Sequence, residues 1–319
     1  MSVQPSTDAR IVDRGYRRYD GDRLGVAGAV SSVTRYTIQR VFGIHRKFRF
    51  KVLPILSIAI AYIPHVVWVG IVVLTRQLDE QMAGGDGGFG APPGTGRRVA
   101  NLLIKDYPSS YGNVVAAIAL FAAFVAPEVL CPDRRTGMLG LYFASPLNRW
   151  TYLRAKLVAV VSMLMLVTLG PPLLLLIGYS TQGYGPSGPA EWASTFGRVL
   201  LTGVGIAVFH TAVSLAISSV TSRRAAASAA FVVVVMGTGV LIPALIYEGG
   251  LSMDWGAFNL LTLPLEFAYR VFGQPSSLVD PRTFYDTMST PVVYGAFAGW
   301  IVLSAVVVWD RYRRIEVTR

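Results

Sequence analysis

The sequence predicts an all-α integral membrane protein, with six transmembrane helices, an N-terminal interfacial helix, a short cytoplasmic helix and an outer re-entrant hairpin. Three observations lead to this class. Mean hydropathy is +0.49 and only 15% of the 319 residues are charged, against about 25% in a soluble domain. Six charge-free or nearly charge-free windows meet the ~20 mostly apolar residues that a spanning helix needs; they occupy 52–75, 110–131, 157–179, 199–220, 225–247 and 290–309. The basic residues behind the net charge of +11 gather in alternate segments between those windows.

The first 51 residues contain no apolar h-region, so no cleavable signal peptide is expected. They are read as a cytoplasmic segment that holds a helix. Val26, Val30, Val33, Thr37, Val41, Ile44 and Phe48 fall within about a quarter turn at 100° per residue, while Arg35, Arg46 and Arg49 project from the other side. Such a helix lies in the membrane face with its basic side near anionic lipid. On a plainer reading, Arg46, Lys47, Arg49 and Lys51 are a topology anchor, and the two readings are compatible.

Residues 52–309 form the six-span domain. The second window ends near Glu128, where a carboxylate costs less than the ~2.5–3.5 kcal/mol charged on it at the bilayer centre. The third contains Pro171-Pro172, which predicts a kink whose freed backbone groups are met by neighbouring helices. With both termini inside, the cytoplasmic segments 1–51, 132–156, 221–224 and 310–319 hold 22 of the 29 Lys and Arg residues. That asymmetry sets the orientation by the positive-inside rule, and it gives the positive charge a membrane explanation in place of nucleic acid. The chain is expected in the cell inner or plasma membrane, with residues 310–319 as a cytoplasmic tail.

The outer segments differ among themselves. Residues 76–109, with GGDGGFGAPPGTG, and 180–197 read as Gly/Pro loops. Residues 248–289 contain WGAFNLLTLPLEFAYRVFG, apolar and aromatic but too short to cross and interrupted by Pro264 and Glu266. A re-entrant or interfacial hairpin and an amphipathic loop resting on the headgroups both fit.

Chemical motifs are few. APPGTGRR at 91–98 resembles a phosphate loop, but Arg97 and Arg98 stand where Lys and a magnesium-binding Ser or Thr are needed. His45, His65 and His210 lie in separate segments. With one cysteine, Cys131, no intrachain disulfide can form, and no metal set is visible. His65 and His210 fall inside spans, where an ionisable residue is a candidate for a substrate or proton role. A hydrogen bond to a neighbour is the commoner use. No nucleophile–base constellation can be assembled, so no enzyme and no bound cofactor are expected.

Between the second and third windows the chain reads APEVLCPDRRTGMLGLYFASPLNRWTYLRAK. TGMLGLYFA is helix-compatible and apolar on most sides. Ser145 is expected to cap the next helix, with Pro146 at its first position. An apolar, tightly bounded helix on the cytoplasmic face calls for a partner surface. The alternative is a topogenic loop whose arginines face lipid phosphate.

The pattern of Glu128, Arg134, Arg135, Gly137, Leu139, Ser145, Pro146, Arg149 and Lys156 resembles the permease subunits of ABC-2-type transporters, the type V exporter fold. The layout resembles that family along the whole chain. CPDRR departs from it, because the family more often shows a Glu beside the Arg. The resemblance implies that the short helix is a coupling helix inserted into a cleft of an ATPase subunit, with Met138, Leu139, Leu141, Tyr142 and Phe143 as its apolar knob. It further implies a separate ABC ATPase chain that binds ATP and magnesium, and a second permease copy or homologue completing the pathway. Few fixed charges in the spans favour lipid, drug-like or amphiphilic cargo. The rival readings are a membrane scaffold or sensor, which predicts no ATPase partner, and a secondary transporter, which predicts repeats and midplane ionisable groups.

Overall fold

A computed structural model describes residues 25–44, 47–48, 51–83, 107–144, 147–274 and 288–314. The described residues form helices and turns, with no strand. In chain order the α-helices are α1 (Gly25–Val41), α2 (Val52–Ala83), α3 (Tyr107–Arg135), α4 (Met138–Ala144), α5 (Arg149–Thr181), α6 (Pro189–Val220), α7 (Arg224–Tyr247), α8 (Leu263–Val271) and α9 (Thr290–Arg313). A 3-10 turn, Met253–Phe258, precedes α8. Six of these helices, α2, α3, α5, α6, α7 and α9, are long and apolar enough to cross a membrane. Each coincides with one of the six apolar windows.

The six are not equivalent. In their most apolar stretches α3, α6 and α5 bury 78%, 67% and 56% of residues, whereas α2, α7 and α9 bury 17–22%. Three inner helices therefore form the core, and three outer helices present aliphatic faces such as Ile63, Val233 and Val302. Lipid tails are as apolar as these side chains, so leaving them outward costs little. The inner helices pack around Phe121, Leu164, Val167, Ile206 and Phe209, all close to fully buried.

The Pro171-Pro172 pair lies within continuous helix α5. Just before it, Tyr62 on α2 donates its hydroxyl to the Leu166 carbonyl (2.9 Å). Gly170 makes the approach possible, since a Cβ there would lie 1.6 Å from the Tyr62 hydroxyl oxygen.

After α7 the chain folds back onto the bundle. Asn259 accepts from the Leu261 and Thr262 amides (3.1 and 3.2 Å), and Pro264 occupies the first turn of α8, where its missing N–H is harmless. At 1.5 Å per residue, nine residues reach about 14 Å, half the ~30 Å hydrocarbon thickness. Leu263, Pro264, Glu266, Phe267 and Ala268 are buried. Phe267 stacks on Phe297 of α9 at 4.1 Å, and Phe297 on Phe209 of α6 at 4.9 Å. Buried Glu266 pairs with Arg270 (3.5 Å), which also donates to the Met288 carbonyl (2.7 Å). Since α8 meets the start of α3, where Leu265 approaches Gly112, it sits at the end of the bundle opposite the α3–α4 turn.

Candidate functional site

The C-terminal end of α3 carries Glu128, Cys131, Asp133, Arg134 and Arg135. Pro127 and Pro132 lie within these last turns and remove the amides that would bond the Ala123 and Glu128 carbonyls. Successive residues on a helix point about 100° apart, so neighbouring charges here go to different partners.

Asp133 is 1% exposed. One oxygen accepts from Arg40 Nη1 of α1 (2.9 Å). The other accepts from Lys156 Nζ (2.7 Å) and Tyr152 Oη (3.0 Å) of α5. Lys156 is itself 2% exposed, with Thr37 Oγ1 of α1 at 3.2 Å. Glu128, 3% exposed, faces Arg40 Nε (3.5 Å) and pairs closely with Arg224 at the start of α7. Three cations and two carboxylates thus join α1, α3, α5 and α7 in one cluster, buried at Glu128, Asp133 and Lys156 and reaching the surface at Arg224, whose side chain is 40% exposed. Such charges survive burial only when paired and hydrogen-bonded. Burial works against the Arg40 charge, but Asp133 first and Glu128 next outweigh it, and the guanidinium is held above its ordinary value.

Arg134 turns the other way. Its guanidinium donates to the Ser219 carbonyl and, at 3.4 Å, to that of Thr221. It therefore closes the C-terminus of α6, where orphan carbonyls and the helix dipole favour a cation. Arg135 is exposed. Of the two arginines only Arg135 is exposed beside α4.

The turn into α4 runs through Gly137 at φ 70°, a left-handed conformation costly for other residues. A Cβ there would meet nothing within 4 Å, so backbone conformation and not space selects glycine. In α4, Leu139 is buried, while Tyr142 and Phe143 lie half-buried against Tyr152 at 5.4 and 6.1 Å. Burial first, and then the Asp133 charge, push the Tyr142 phenol up. Met138 and Leu141 face outward, Leu141 at 67% exposure. The five expected knob residues thus divide into three that root α4 and two that form its tip.

Ser145, Pro146 and Arg46 lie outside the described residues. The cap of α5 corrects the expectation for Ser145. The N-cap is Asn148, which accepts from the Thr151 amide (2.9 Å), while Thr151 Oγ1 accepts from the Asn148 amide (2.8 Å). This reciprocal capping box satisfies two orphan donors, and it places the helix start three residues beyond Ser145.

In α1, Thr37 and Val41 are buried, Val30 and Val33 half-buried, Val26 and Arg35 exposed; Ile44, just beyond it, is exposed. The stripe faces α5 and α3 at its C-terminal half, and Thr34 also donates to the Ala155 carbonyl (3.2 Å). Sequence reasoning missed Arg40, Tyr152 and Arg224 and left Asp133 without a partner. Two signals were available. At 100° per residue Arg40 falls beside Val33 and not beside Arg35, and Tyr152 and Lys156 are spaced i, i+4 on one face of α5. His65 and His210 each place Nδ1 against the carbonyl four residues earlier, Ala61 at 2.8 Å and Ile206 at 3.0 Å, as side chains serving their own helix do.

A six-span helical bundle with an anchored helix along one end and a short helix jutting beyond its spans has the form of a membrane permease subunit. The chain belongs to the ABC-2 transporter family: the family model described as ABC-2 family transporter protein matches residues 26–316. No curated protein matches the chain. Membership makes it a multi-pass membrane permease component of an ABC transporter, and the family implies partnership with an ABC ATPase subunit.

Proposed function

We propose that the chain is one half of an ATP-driven exporter, paired with a second permease copy or homologue and coupled through α4 to an ATPase carried on a separate chain. The supporting observation is the mounting of α4. Its outward tip, Met138 and Leu141, is apolar and exposed, while its root is fixed to a cluster that binds α1, α3, α5 and α7 together. A tip with no role in spanning lipid, on so rigid a base, suits the transfer of force from a partner cleft to the whole bundle.

ATP and magnesium are bound by the partner in this reading. Both termini and the α3–α5 connection face the cytoplasm of the cell inner or plasma membrane, as the distribution of basic residues favours, and α1 lies along that face in contact with lipid. At the outer end, α8 with the preceding 3-10 turn forms a re-entrant hairpin. A groove of about 1,110 Å³ between α2, α3 and α7, lined by Leu120, Phe124 and Val232 and edged by Arg135, Arg223 and Arg224, supports a half-pathway for lipid, drug-like or amphiphilic cargo. The chain itself carries no ATPase site in this account, so steady hydrolysis by the isolated chain would contradict it.

The test is Leu141→Cys in a Cys131→Ala background, with cysteine-directed cross-linking in native membranes. The expected product joins the chain to an ABC ATPase and is labelled only from the cytoplasmic side, whereas Gly90→Cys is labelled only from outside. A Leu141→Cys chain that cross-links to no ATPase, or is labelled from outside, overturns the assignment.

A further inference from the structure

A second site lies where α5 meets α6 and α9. Between α5, α6 and α9 is a cavity of about 300 Å³ whose walls are Leu153, Leu157, Val208, Leu215, Ile301 and Val308. That volume is at the lower end of the ~300–1,000 Å³ of ligand pockets. The wall residues of α5 run from Trp150 to Leu157 and those of α9 from Ile301 to Trp309. At 1.5 Å per residue the cavity is a slot about 10–12 Å long, parallel to the helices. Such a shape suits an extended hydrocarbon chain.

The end of the slot nearest the α5 N-terminus has different chemistry. Trp150 and Trp309 stack at 4.2 Å with a 20° interplanar angle, a pair of the kind enriched at the membrane–water boundary. Arg154 lies with its guanidinium carbon 5.8 Å from the Trp150 ring centre. It is exposed, and among the described residues it makes no ion pair. The other cation in the wall, Lys156, is committed to Asp133 at 2.7 Å. A free positive charge therefore stands at the rim of an apolar slot, at the depth where spans meet headgroups. Basic pockets between spanning helices are a recognised setting for anionic lipid headgroups.

We propose that this cavity binds one anionic phospholipid, with an acyl chain in the slot and the headgroup phosphate on Arg154. Lys156 lines the cavity and also belongs to the charged cluster, so the bound chain packs against the side chain that pairs with Asp133 of α3 and contacts Thr37 of α1. The inference rests on the membrane-spanning reading alone, and not on the ATPase partner or the cargo.

The test is native mass spectrometry of the full chain in mild detergent, titrated with phosphatidylglycerol or with phosphatidylcholine. The wild type is expected to retain one phosphatidylglycerol about fivefold more tightly than phosphatidylcholine, the effect of one basic residue near a lipid surface. Arg154→Gln should abolish that preference. Ala305→Phe, a substitution at an exposed position on the cavity wall, should remove retention of both lipids while the helical circular dichroism is unchanged. Inorganic phosphate should not compete. Equal retention of the two lipids by the wild type, retention unaltered in both variants, loss of preference in Arg154→Gln with full retention in Ala305→Phe, or displacement by inorganic phosphate would each overturn the proposal. None of these results depends on ATP hydrolysis or transport, so they leave the permease reading to its own test.

Discussion

Where α3 ends, Arg40, Glu128, Asp133, Lys156 and Arg224 bring four helices together through charge that is largely buried, with Arg224 at its exposed edge. Where α3 begins, α8 is seated mainly by rings and aliphatic groups, with Phe267, Phe297 and Phe209 stacked in series and Leu265 against α3. The first arrangement is directional, because each carboxylate oxygen faces a named cation, and a small displacement of one helix leaves a charge unpaired. The second tolerates small slides, because ring contacts have no single required geometry. The lesson is mechanical. On the proposed coupling, the end that carries the outward α4 tip is the one built to move as a unit, and the opposite end the one built to absorb what reaches it.

The comparison can be broken most severely at Asp133. Asp133→Ala leaves Arg40 and Lys156 buried without their shared anion, and loss of one partner of a buried pair costs about 3–5 kcal/mol. The midpoint of thermal unfolding in detergent should fall more than for any other change proposed here. The paired change Asp133→Leu with Lys156→Met should recover much of that loss, since a buried pair can be replaced by apolar groups at little cost. If the single variant unfolds at the wild-type midpoint, the cluster is not what holds this end together.

At the opposite end the disruption is steric. A Cβ on Gly205 would lie 2.7 Å from the Phe267 ring, so Gly205→Leu forces the ring stack apart at a cost of about 1–3 kcal/mol. The same thermal measurement reads it. A loss larger than that of Asp133→Ala would invert the ranking of the two ends.

Smaller effects sharpen the contrast within the charged end. Gly137→Val imposes a left-handed conformation on a β-branched residue and should cost about 1–2 kcal/mol, with any coupling defect arising from the aim of α4. Asn148→Ala removes one side of the capping box and should cost about 1 kcal/mol, measured as a modest fall in midpoint with the helix content of the chain retained.

How much of this was legible depended on the range of the forces involved. The six spans were, because insertion into lipid is decided by runs of about 20 residues that a sequence displays directly. The helices outrun those windows where polar ends cost nothing in water, as α2 does through Arg76 and Glu80, whose own pair is exposed. The short helix at 138–144 was legible from its apolar run between a glycine and a Ser-Pro. The α5 cap was not, because Ser145-Pro146 and the Asn148–Thr151 box compete as start signals within four residues, and only the reciprocal hydrogen bonds separate them. The charged cluster was least legible. Asp133 finds Arg40 and Lys156 far along the chain in either direction, and nothing local to CPDRR records those partners. The division of α4 into root and tip was equally hidden, since it depends on where Tyr152 stands.

The central claim, that α4 carries force from an ATPase into the bundle, is tested most directly by substrate-stimulated ATP hydrolysis of the assembled transporter bearing Leu141→Asp. Trp255→Asp, at an exposed position of the opposite end, serves as the matched control. An unpaired charge forced into an apolar cleft costs several kcal/mol, so Leu141→Asp should lose most ATPase co-purification and stimulated hydrolysis. Because Leu141 is exposed, its insertion and unfolding midpoint should stay at wild type. Trp255→Asp should leave stimulation unchanged. Full stimulation by a normally inserted Leu141→Asp chain would contradict the claim and reduce α4 to a connecting turn.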